Sequence, residues 1–207
     1  PRMTAAQRDA ITATQGLIIF CSDCASGEGE LQIKLTSSWK NTIGGDVNDP
    51  PPPAIGDTYQ GGVVFYLDGN GGGLIAAPSD QSSAAWGCYG QPIGGTGSAL
   101  GTGAANTTAI VSGCSETAIA ARICADLTLG GYSDWFLPSK DELNLMYENI
   151  GPGDELGLGD IGNFGSNLYW SSTEADGLNA WSQGFFSGYQ SNYPKSYTPS
   201  VRAVRAF

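Results

Sequence analysis

The chain has 207 residues, of which 41% are hydrophobic and 14% are charged, and its formal net charge is −11. This length suits one large domain, or one domain with a small module, and the negative charge argues against a nucleic-acid backbone or an anionic membrane surface as partner. The absence of histidine excludes Ser-His-Asp and Cys-His catalysis and every metal site that needs imidazole.

Residues 1–44 predict a small N-terminal module. Thr4 can cap a short helical turn that runs to Ile11. An apolar run at 16–21 (GLIIFC) and an alternating segment at 31–36 (LQIKLT) together predict a β-hairpin. Because an isolated hairpin is marginally stable, we expect it to pack on a neighbouring domain or on another copy of the chain.

Residues 45–56 predict a linker and the main domain boundary, because they contain four consecutive prolines. Such a run favours an extended, semi-rigid spacer. Residues 57–207 then form the principal domain.

That domain begins with a predicted hairpin. Its apolar runs, 63–67 (VVFYL) and 74–77 (LIAA), suit buried strands, and 68–71 (DGNG) suits the turn between them. Residues 79–108 predict a long ordered loop anchored by Trp86, and such loops in compact domains are often functional.

The clearest local pattern lies at residues 130–151, after a predicted helix at 117–127. A short aromatic strand at 132–137 (YSDWFL) leads into a helix, and Ser139 and Glu142 have the spacing of a capping box. Gly151 can end this helix in a left-handed conformation. We expect this stretch to build the core and to do no chemistry.

Three strands are predicted in the C-terminal part of the chain, at 168–174, 179–187 and 201–207. Several aromatic residues of this half are expected in the core: Trp135, Tyr169, Trp170, Trp181 and one of Phe185 or Phe186.

Residues 188–199 differ in composition, because they mix tyrosine with serine, asparagine and glycine, as recognition loops do. The alternative is an ordinary solvated loop. The candidate ligand-binding residues are Tyr189, Gln190, Asn192, Tyr193, Lys195 and Tyr197.

Three acidic residues, Asp154, Glu155 and Asp160, lie in a glycine-rich loop. Their oxygens suit a calcium ion, and no other cofactor is expected. A solvated acidic surface is the alternative. A carboxylate pair about 5–10 Å apart could instead hydrolyse glycosides, but nothing in the sequence shows that spacing.

The five cysteines leave several pairings open. Cys21 and Cys24 suit a structural disulfide or two free thiols, since the setting of a redox or zinc motif is absent. Cys88 and Cys114 flank the long loop, and a bridge between them would tether it. Cys124 lies in a predicted helix and suits a buried free thiol, although a Cys114–Cys124 pair remains open.

Two arginines, Arg202 and Arg205, lie on the apolar terminal strand. We expect them to form ion pairs with acidic residues, and Glu174 is one candidate.

Several blocks carry a family resemblance. They are 61–66 (GGVVFY), 131–139 (GYSDWFLPS), 141–143 (DEL), 169–174 (YWSSTE) and 201–205 (VRAVR). Together they resemble a bacterial domain family typified by the C-terminal domain of a collagen-like adhesin. The resemblance covers residues 57–207.

This resemblance implies an α+β, C-type-lectin-like fold, in which two helices flank a small, twisted, mostly antiparallel sheet. It also implies that the first and last strands, at 63–67 and 201–207, pair and that a long loop region carries the ligand site. The N-terminal segment resembles one found in surface proteins and tail-fibre-like proteins of Bacteroidetes-type bacteria and their phages.

Two departures from related sequences argue against two activities, calcium-bridged sugar binding and formylglycine generation. Calcium-dependent sugar-binding C-type lectins carry Glu-Pro-Asn or Gln-Pro-Asp with Trp-Asn-Asp, whereas this chain has Gln91-Pro92-Ile93 and no Trp-Asn-Asp. Formylglycine-generating enzymes share the broad fold and use a C-terminal cysteine pair, but no cysteine follows Cys124 here.

The sequence therefore predicts a secreted or surface-displayed protein without enzymatic activity that binds a glycan or protein receptor. It predicts neither nucleic-acid binding nor membrane insertion. One alternative is a fibre or filament subunit that self-associates through residues 1–44, and a second is a carboxylate-dependent hydrolase.

Overall fold

The computed structural model describes residues 2–4, 6–7, 18–21, 30–35, 38–40 and 53–207. The chain divides into two compact units, Pro1–Pro52 and Pro53–Phe207. The predictions for Cys24, for most of the N-terminal helical turn and for residues 45–52 of the linker lie outside the described residues.

The first unit contains a four-stranded sheet in the order β1-β2-β3-β4. Its strands are β1 (Arg2–Met3), β2 (Ile18–Cys21), β3 (Glu30–Leu35) and β4 (Ser38–Lys40). The antiparallel pairing of β2 with β3 confirms the predicted hairpin, while β1 and β4 were not predicted. Gln7 N donates to Thr4 Oγ1 at 3.2 Å, and Thr4 N donates to Gln7 Oε1 at 2.9 Å, so Thr4 caps the turn as expected.

The second unit combines two sheets with three described helices and is therefore a mixed α+β domain. The helices are α1 (Gly103–Gly113), α2 (Ala120–Ala125) and α3 (Lys140–Ile150). The strands are β5 (Thr58–Tyr59), β6 (Gly62–Leu67), β7 (Gly73–Ala76), β8 (Ser82–Ser83), β9 (Leu168–Glu174), β10 (Asn179–Gly184), β11 (Gln190–Pro194), β12 (Ser200–Val201) and β13 (Val204–Ala206). The sheet orders are β13-β7-β6-β5 and β11-β10-β9-β12-β8. Among the described helices, none is long and apolar enough to cross a membrane.

The β6–β7 hairpin forms as predicted, and Asp68 shapes its turn. Asp68 Oδ1 accepts hydrogen bonds from Asn70 N at 2.7 Å and from Gly72 N at 2.9 Å. The terminal strand β13 pairs with β7, not with β6, so the implied pairing of the strand at 63–67 with the chain terminus is wrong.

The C-terminal segment also forms two strands in different sheets instead of the one predicted. The break falls at Arg202 and Ala203. Ala203 N donates to the side chain of Gln81 at 2.5 Å, and Arg202 turns inward to Ala77 O and Gly162 O. These bonds replace the ladder that a continuous strand would need.

Helix α1 replaces the end of the predicted long loop. Its sequence, GAANTTAIVSG, has several weak helix formers, and its apolar residues form no clear stripe. Tertiary contacts stabilise it instead: Asn106 Nδ2 donates to Gly97 O at 2.7 Å and to Ser172 Oγ at 3.0 Å. Trp86 is fully buried and donates to Ser171 O at 2.9 Å, which confirms it as the loop's anchor.

The capping box at the start of α3 is present as predicted. Glu142 N donates to Ser139 Oγ at 3.3 Å, and Ser139 N donates to Glu142 Oε2 at 2.8 Å. Gly151 is extended, with φ of −112°, and the helix end is closed because Gly153 N donates to Tyr147 O at 3.0 Å. The prediction of a left-handed glycine there is wrong.

The predicted aromatic strand at 132–137 does not form either. Only isolated bridges form there: Tyr132 pairs with Leu129 across a tight turn, and Phe136 pairs with Val204.

Strand β9 separates two apolar clusters because its side chains alternate between faces. Trp170 joins Trp86 and Trp135 on one face, whereas Tyr169 joins Phe185 and others on the opposite face. The core placement predicted for Trp135, Tyr169, Trp170 and Phe185 is therefore confirmed. Trp181 is only half-buried, with Lys140 Nζ 3.9 Å from its ring centre, so its placement in the core was wrong.

Candidate functional site: a cleft beside the β11–β12 crossover

The segment predicted as one recognition loop contains an edge strand and a crossover. Strand β11 lies at the edge of the five-stranded sheet, and residues 195–199 carry the chain to β12, between β9 and β8. No strand was predicted here, because Gln190, Ser191 and Asn192 are not among the β-branched and aromatic residues that are enriched in strands. Pairing with β10, with Trp181 opposite Asn192, holds the segment extended.

An open cleft of about 600 Å³ lies beside this crossover, and uncharged residues line it. They are Ser83, Asn167, Leu168, Ser196, Tyr197, Thr198, Pro199 and Ser200. Strand pairing assembles it, because Ser200 lies opposite both Ser83 and Tyr169. Asn167 Nδ2 donates to Ser200 Oγ at 3.3 Å across the cleft wall.

Three of the predicted ligand residues are tyrosines, and one of them lines the cleft. Tyr197 is 54% exposed and lines the cleft, and its ring centre lies 6.3 Å from that of the partly buried Tyr193. Tyr189 is 73% exposed beside the β10–β11 turn. Their role as ligand residues stays a prediction.

Gln190 and Asn192 lie elsewhere. Gln190 Nε2 donates to Lys140 O at 2.9 Å and to Gln183 Oε1 at 3.2 Å, so its side chain is turned towards the start of α3. Asn192 is exposed, and neither residue lines the cleft. The structure therefore does not bring the six predicted residues together in one site.

The prediction that Lys195 binds a ligand is wrong, because Lys195 is fully buried and cannot contact a ligand at the surface. Its Nζ lies 2.5 Å from Glu174 Oε1, donates to Gln91 O at 3.0 Å and lies 4.6 Å from the ring centre of Trp86. A buried ammonium requires such partners, so Lys195 has a structural role.

Glu174 connects this lysine to the long loop. Its carboxylate also accepts hydrogen bonds from Ile93 N and Gly94 N, each at 2.8 Å. Burial alone would raise the pKa of Glu174, but the hydrogen bond from Lys195, the two amides and the positive charge of Lys195 hold that pKa below its ordinary value. The crossover and the loop are therefore fixed to one carboxylate.

The two arginines form ion pairs as expected, but not with Glu174. Arg202 donates from Nε to Asp80 Oδ1 at 2.7 Å, and Arg205 pairs with Asp134. The hydrogen bond from Arg205 is the main reason why the pKa of Asp134 is lowered.

Cys88 and Cys114 form a disulfide with a Cα–Cα distance of 5.8 Å, which tethers the long loop to the end of α1. Cys124 is a buried free thiol, and burial raises its pKa well above the ordinary value. These findings resolve the pairings left open for the three cysteines. The Cys21–Cys24 pairing lies outside the described residues.

The predicted calcium ligands do not converge on one point in the described part of the chain. Asp154 Oδ1 accepts from Gly159 N at 2.7 Å, and Asp160 Oδ1 accepts from Phe164 N at 3.1 Å, so each stabilises its own turn. A calcium site built from these two and Glu155 is therefore not supported. The described residues do bring together Cys88, Cys114 and Glu116, but the two sulfurs form the disulfide and are not thiolate ligands.

Residues 92–205 match the Lcl C-terminal domain family, and this match covers more than half of the 207 residues. The chain belongs to the Lcl C-terminal domain family. Every residue that lines the cleft, apart from Ser83, falls inside the part of the chain that matches the Lcl C-terminal domain.

The chain was also compared with solved structures and with curated proteins. A fimbrial protein from Bacteroides ovatus ATCC 8483, solved at 1.85 Å, is 14% identical, with a TM-score of 0.46. The aligned region covers 78% of this chain and 46% of that one, so this Lcl C-terminal domain protein spans less than half of the fimbrial protein's length. No curated protein matches its sequence.

The sequence did not point to Ser83, Asn167 or Ser200 as parts of one site. They lie in separate segments, and only the strand order β9-β12-β8 brings them together. Small polar residues are common in loops of any role, so no local signal distinguished them.

Proposed function

We propose that this chain is an extracellular, surface-displayed recognition protein that binds a glycan or protein receptor without catalysis. The observation that carries this proposal is the exposed Tyr197 on an uncharged cleft rich in hydroxyl residues, with the more exposed Tyr189 in the connection just before β11. Tyrosine rings give large contact areas at low entropic cost, and neighbouring serine and asparagine side chains adapt their hydrogen bonds. Membership of the Lcl C-terminal domain family supports an adhesive role, since the sequence resembles the C-terminal domain of a collagen-like adhesin.

Rigid support of the cleft favours binding, because a preorganised site loses less entropy when its ligand arrives. Thr173 Oγ1 donates to Gly97 O at 2.9 Å, and Glu174 N donates to Thr96 Oγ1 at 2.9 Å. With the Glu174–Lys195 pair and the disulfide, these bonds fix the long loop on β9.

We also propose that the second unit has a C-type-lectin-like fold. Two features support it: the terminal strand β13 shares a sheet with the first hairpin of the unit, and a long ordered loop precedes α1. The third helix and the pairing of β13 with β7 differ from the arrangement that the resemblance implied.

The hydrogen bonds that Asp80 already accepts support a non-catalytic role. Asp80 and Asp126 line one cleft of about 440 Å³, which is the setting a carboxylate-dependent hydrolase would need. Asp80, however, accepts hydrogen bonds from Arg202 Nε and from Tyr169 Oη. Burial, followed by the charge of Asp80, raises the pKa of Tyr169 to about 12, so this hydroxyl stays a donor to Asp80 at neutral pH.

Adhesion of the full chain tests the proposal. The chain is displayed on beads, and bead retention is measured on surfaces coated with mucin-type glycoproteins or with matrix proteins. We expect retention on at least one coating and a loss of retention in Tyr197→Ala. Tyr89→Ala is the matched control, because Tyr89 is also 54% exposed but does not line the cleft. Retention no higher than that of uncoated beads on every surface would contradict the proposal.

A fibre subunit is the second candidate, with self-association through residues 1–44. The sheet of the first unit supports it, because β1 and β4 each have one neighbour among the described strands and offer edges to a second copy. Native mass and negative-stain microscopy of the full chain test this candidate. Concentration-dependent assemblies are expected, and a monomer at every concentration would count against it.

A further inference from the structure

We infer that the cleft takes an uncharged, hydroxyl-rich ligand, a neutral saccharide, with a sugar ring packed on Tyr197. This inference rests on the proposed function and narrows its ligand from any receptor to one chemical class. Three independent features of the second unit carry it: the placement of its cations, the polar groups of the cleft and the apolar surfaces among them.

The first feature is that no cation of residues 53–207 lines the cleft. Residues 53–207 contain five lysines and arginines against fourteen acidic residues, and none of the five lines the cleft. Sulfate, phosphate and carboxylate groups are recognised mainly by arginine and lysine through charge-assisted hydrogen bonds. An anionic ligand would therefore meet a negative domain without a local cation.

Four of the five cations are already committed to protein partners. Lys195, Arg202 and Arg205 are at most 8% exposed, and each forms an ion pair with an acidic residue. Arg122 donates to three backbone carbonyls at 2.7 to 2.8 Å. The fifth cation, Lys140, lies over the Trp181 ring, away from the cleft lining.

The second feature is the set of hydroxyl groups in the cleft. The side chains of Ser83, Ser196, Tyr197 and Thr198 line it, and none of these hydroxyls bonds to another described residue. Each hydroxyl can both donate and accept. The hydroxyls of a sugar have the same dual character, so a sugar can donate hydrogen bonds to this lining or accept hydrogen bonds from it.

The third feature is the apolar surface between these hydroxyls. The exposed Tyr197 and the partly buried Leu168 contribute it. A saccharide has an apolar C–H face and a polar rim, and a tyrosine ring with hydroxyls beside it presents the complementary pattern. A basic peptide fits less well because no acidic residue lines the cleft.

A glycan array probed with the full chain tests the inference. The array carries neutral, sialylated and sulfated glycans, and binding is measured at about 50 mM and about 500 mM NaCl. We expect binding to neutral glycans that changes less than about twofold with salt, because no ion pair contributes. Tyr197→Ala should weaken this binding by about tenfold or more, and Tyr89→Ala should leave it unchanged.

Other outcomes separate this inference from the proposed function. Binding confined to sulfated or sialylated glycans and lost at high salt would overturn the inference. Retention of beads on protein coatings with no glycan bound would also overturn it, and both results leave the recognition role intact. Failure of the chain to adhere to any coating or glycan would contradict both the inference and the proposed function. Equal loss in Tyr197→Ala and Tyr89→Ala would show that the cleft is not the site.

Discussion

Lys195 Nζ lies 2.5 Å from Glu174 Oε1, and the two side chains are 0% and 8% exposed. The pair links the crossover beside the cleft to the end of β9. Because Glu174 also binds the amides of Ile93 and Gly94, the same carboxylate positions the long loop. Residues far apart in the sequence thus depend on one buried charge pair.

Removing the lysine charge should destabilise the domain strongly. Lys195→Met leaves Glu174 buried without its cation, and breaking a buried pair in this way costs about 3–5 kcal/mol. Urea unfolding followed by tryptophan fluorescence measures the change. Lys140→Met is the control, because it removes a charge that rests on the Trp181 ring and should cost about 1 kcal/mol or less. Equal losses in the two variants would show that burial of the pair is unimportant.

The same pair predicts a dependence of stability on pH. The pKa of Glu174 is lowered in the folded state, so the unfolded state binds more protons between the two pKa values. The contribution of Glu174 is therefore complete above its unfolded pKa and is lost as the pH falls through the folded pKa. The free energy of unfolding, measured in urea from neutral to acidic pH, should fall less steeply in Glu174→Gln than in the wild type. Parallel pH profiles would mean that Glu174 makes no such contribution.

Local signals in the sequence predicted what local interactions determine. The Ser139–Glu142 capping box lies within one helical turn, and the DGNG turn closes its own hairpin, so short windows sufficed for both. Helix α1 and strand β11 were missed because their polar residues gain stability from partners elsewhere, such as Ser172 for Asn106.

The candidate site was predictable only in part for the same reason. Tyrosine-rich composition indicated the right segment, and Tyr197 does line a cleft. Composition could not show that Lys195 turns inward, because that depends on Glu174, 21 residues earlier, and on Trp86. It also could not show which side of the sheet each residue of β11 faces, since that follows from the register with β10.

Loss of the disulfide should loosen the loop that borders the domain's core. Cys88 and Cys114 are 26 residues apart, and closing a loop of that size stabilises a fold by about 3 kcal/mol. The double variant Cys88→Ser/Cys114→Ser should unfold at correspondingly lower urea concentration. Cys124→Ala serves as the comparison, because it also removes a buried sulfur but breaks no disulfide. A double variant no less stable than Cys124→Ala would argue against a stabilising crosslink.

A methyl group at Gly103 should disrupt the contact between α1 and α3. Alanine is the better helix former by about 1 kcal/mol, yet a Cβ at Gly103 would overlap Glu142 Oε2 and lie 2.8 Å from the Phe136 ring. Glu142 is fully buried and completes the capping box of α3, so it cannot move aside without losing those bonds.

We therefore expect Gly103→Ala to lower the free energy of unfolding by about 2–3 kcal/mol, as overpacked cores do. Gly113→Ala is the matched substitution in the same helix, where the new Cβ would meet only two methyl groups of Ile93, at 3.3 and 3.4 Å. That variant should be neutral or more stable by up to about 1 kcal/mol, because the helix propensity gain meets little resistance. Thermal and urea unfolding of the two variants separate the effects. If both were stabilised alike, α1 would be held by its own propensity, and the tertiary account of this helix would be wrong.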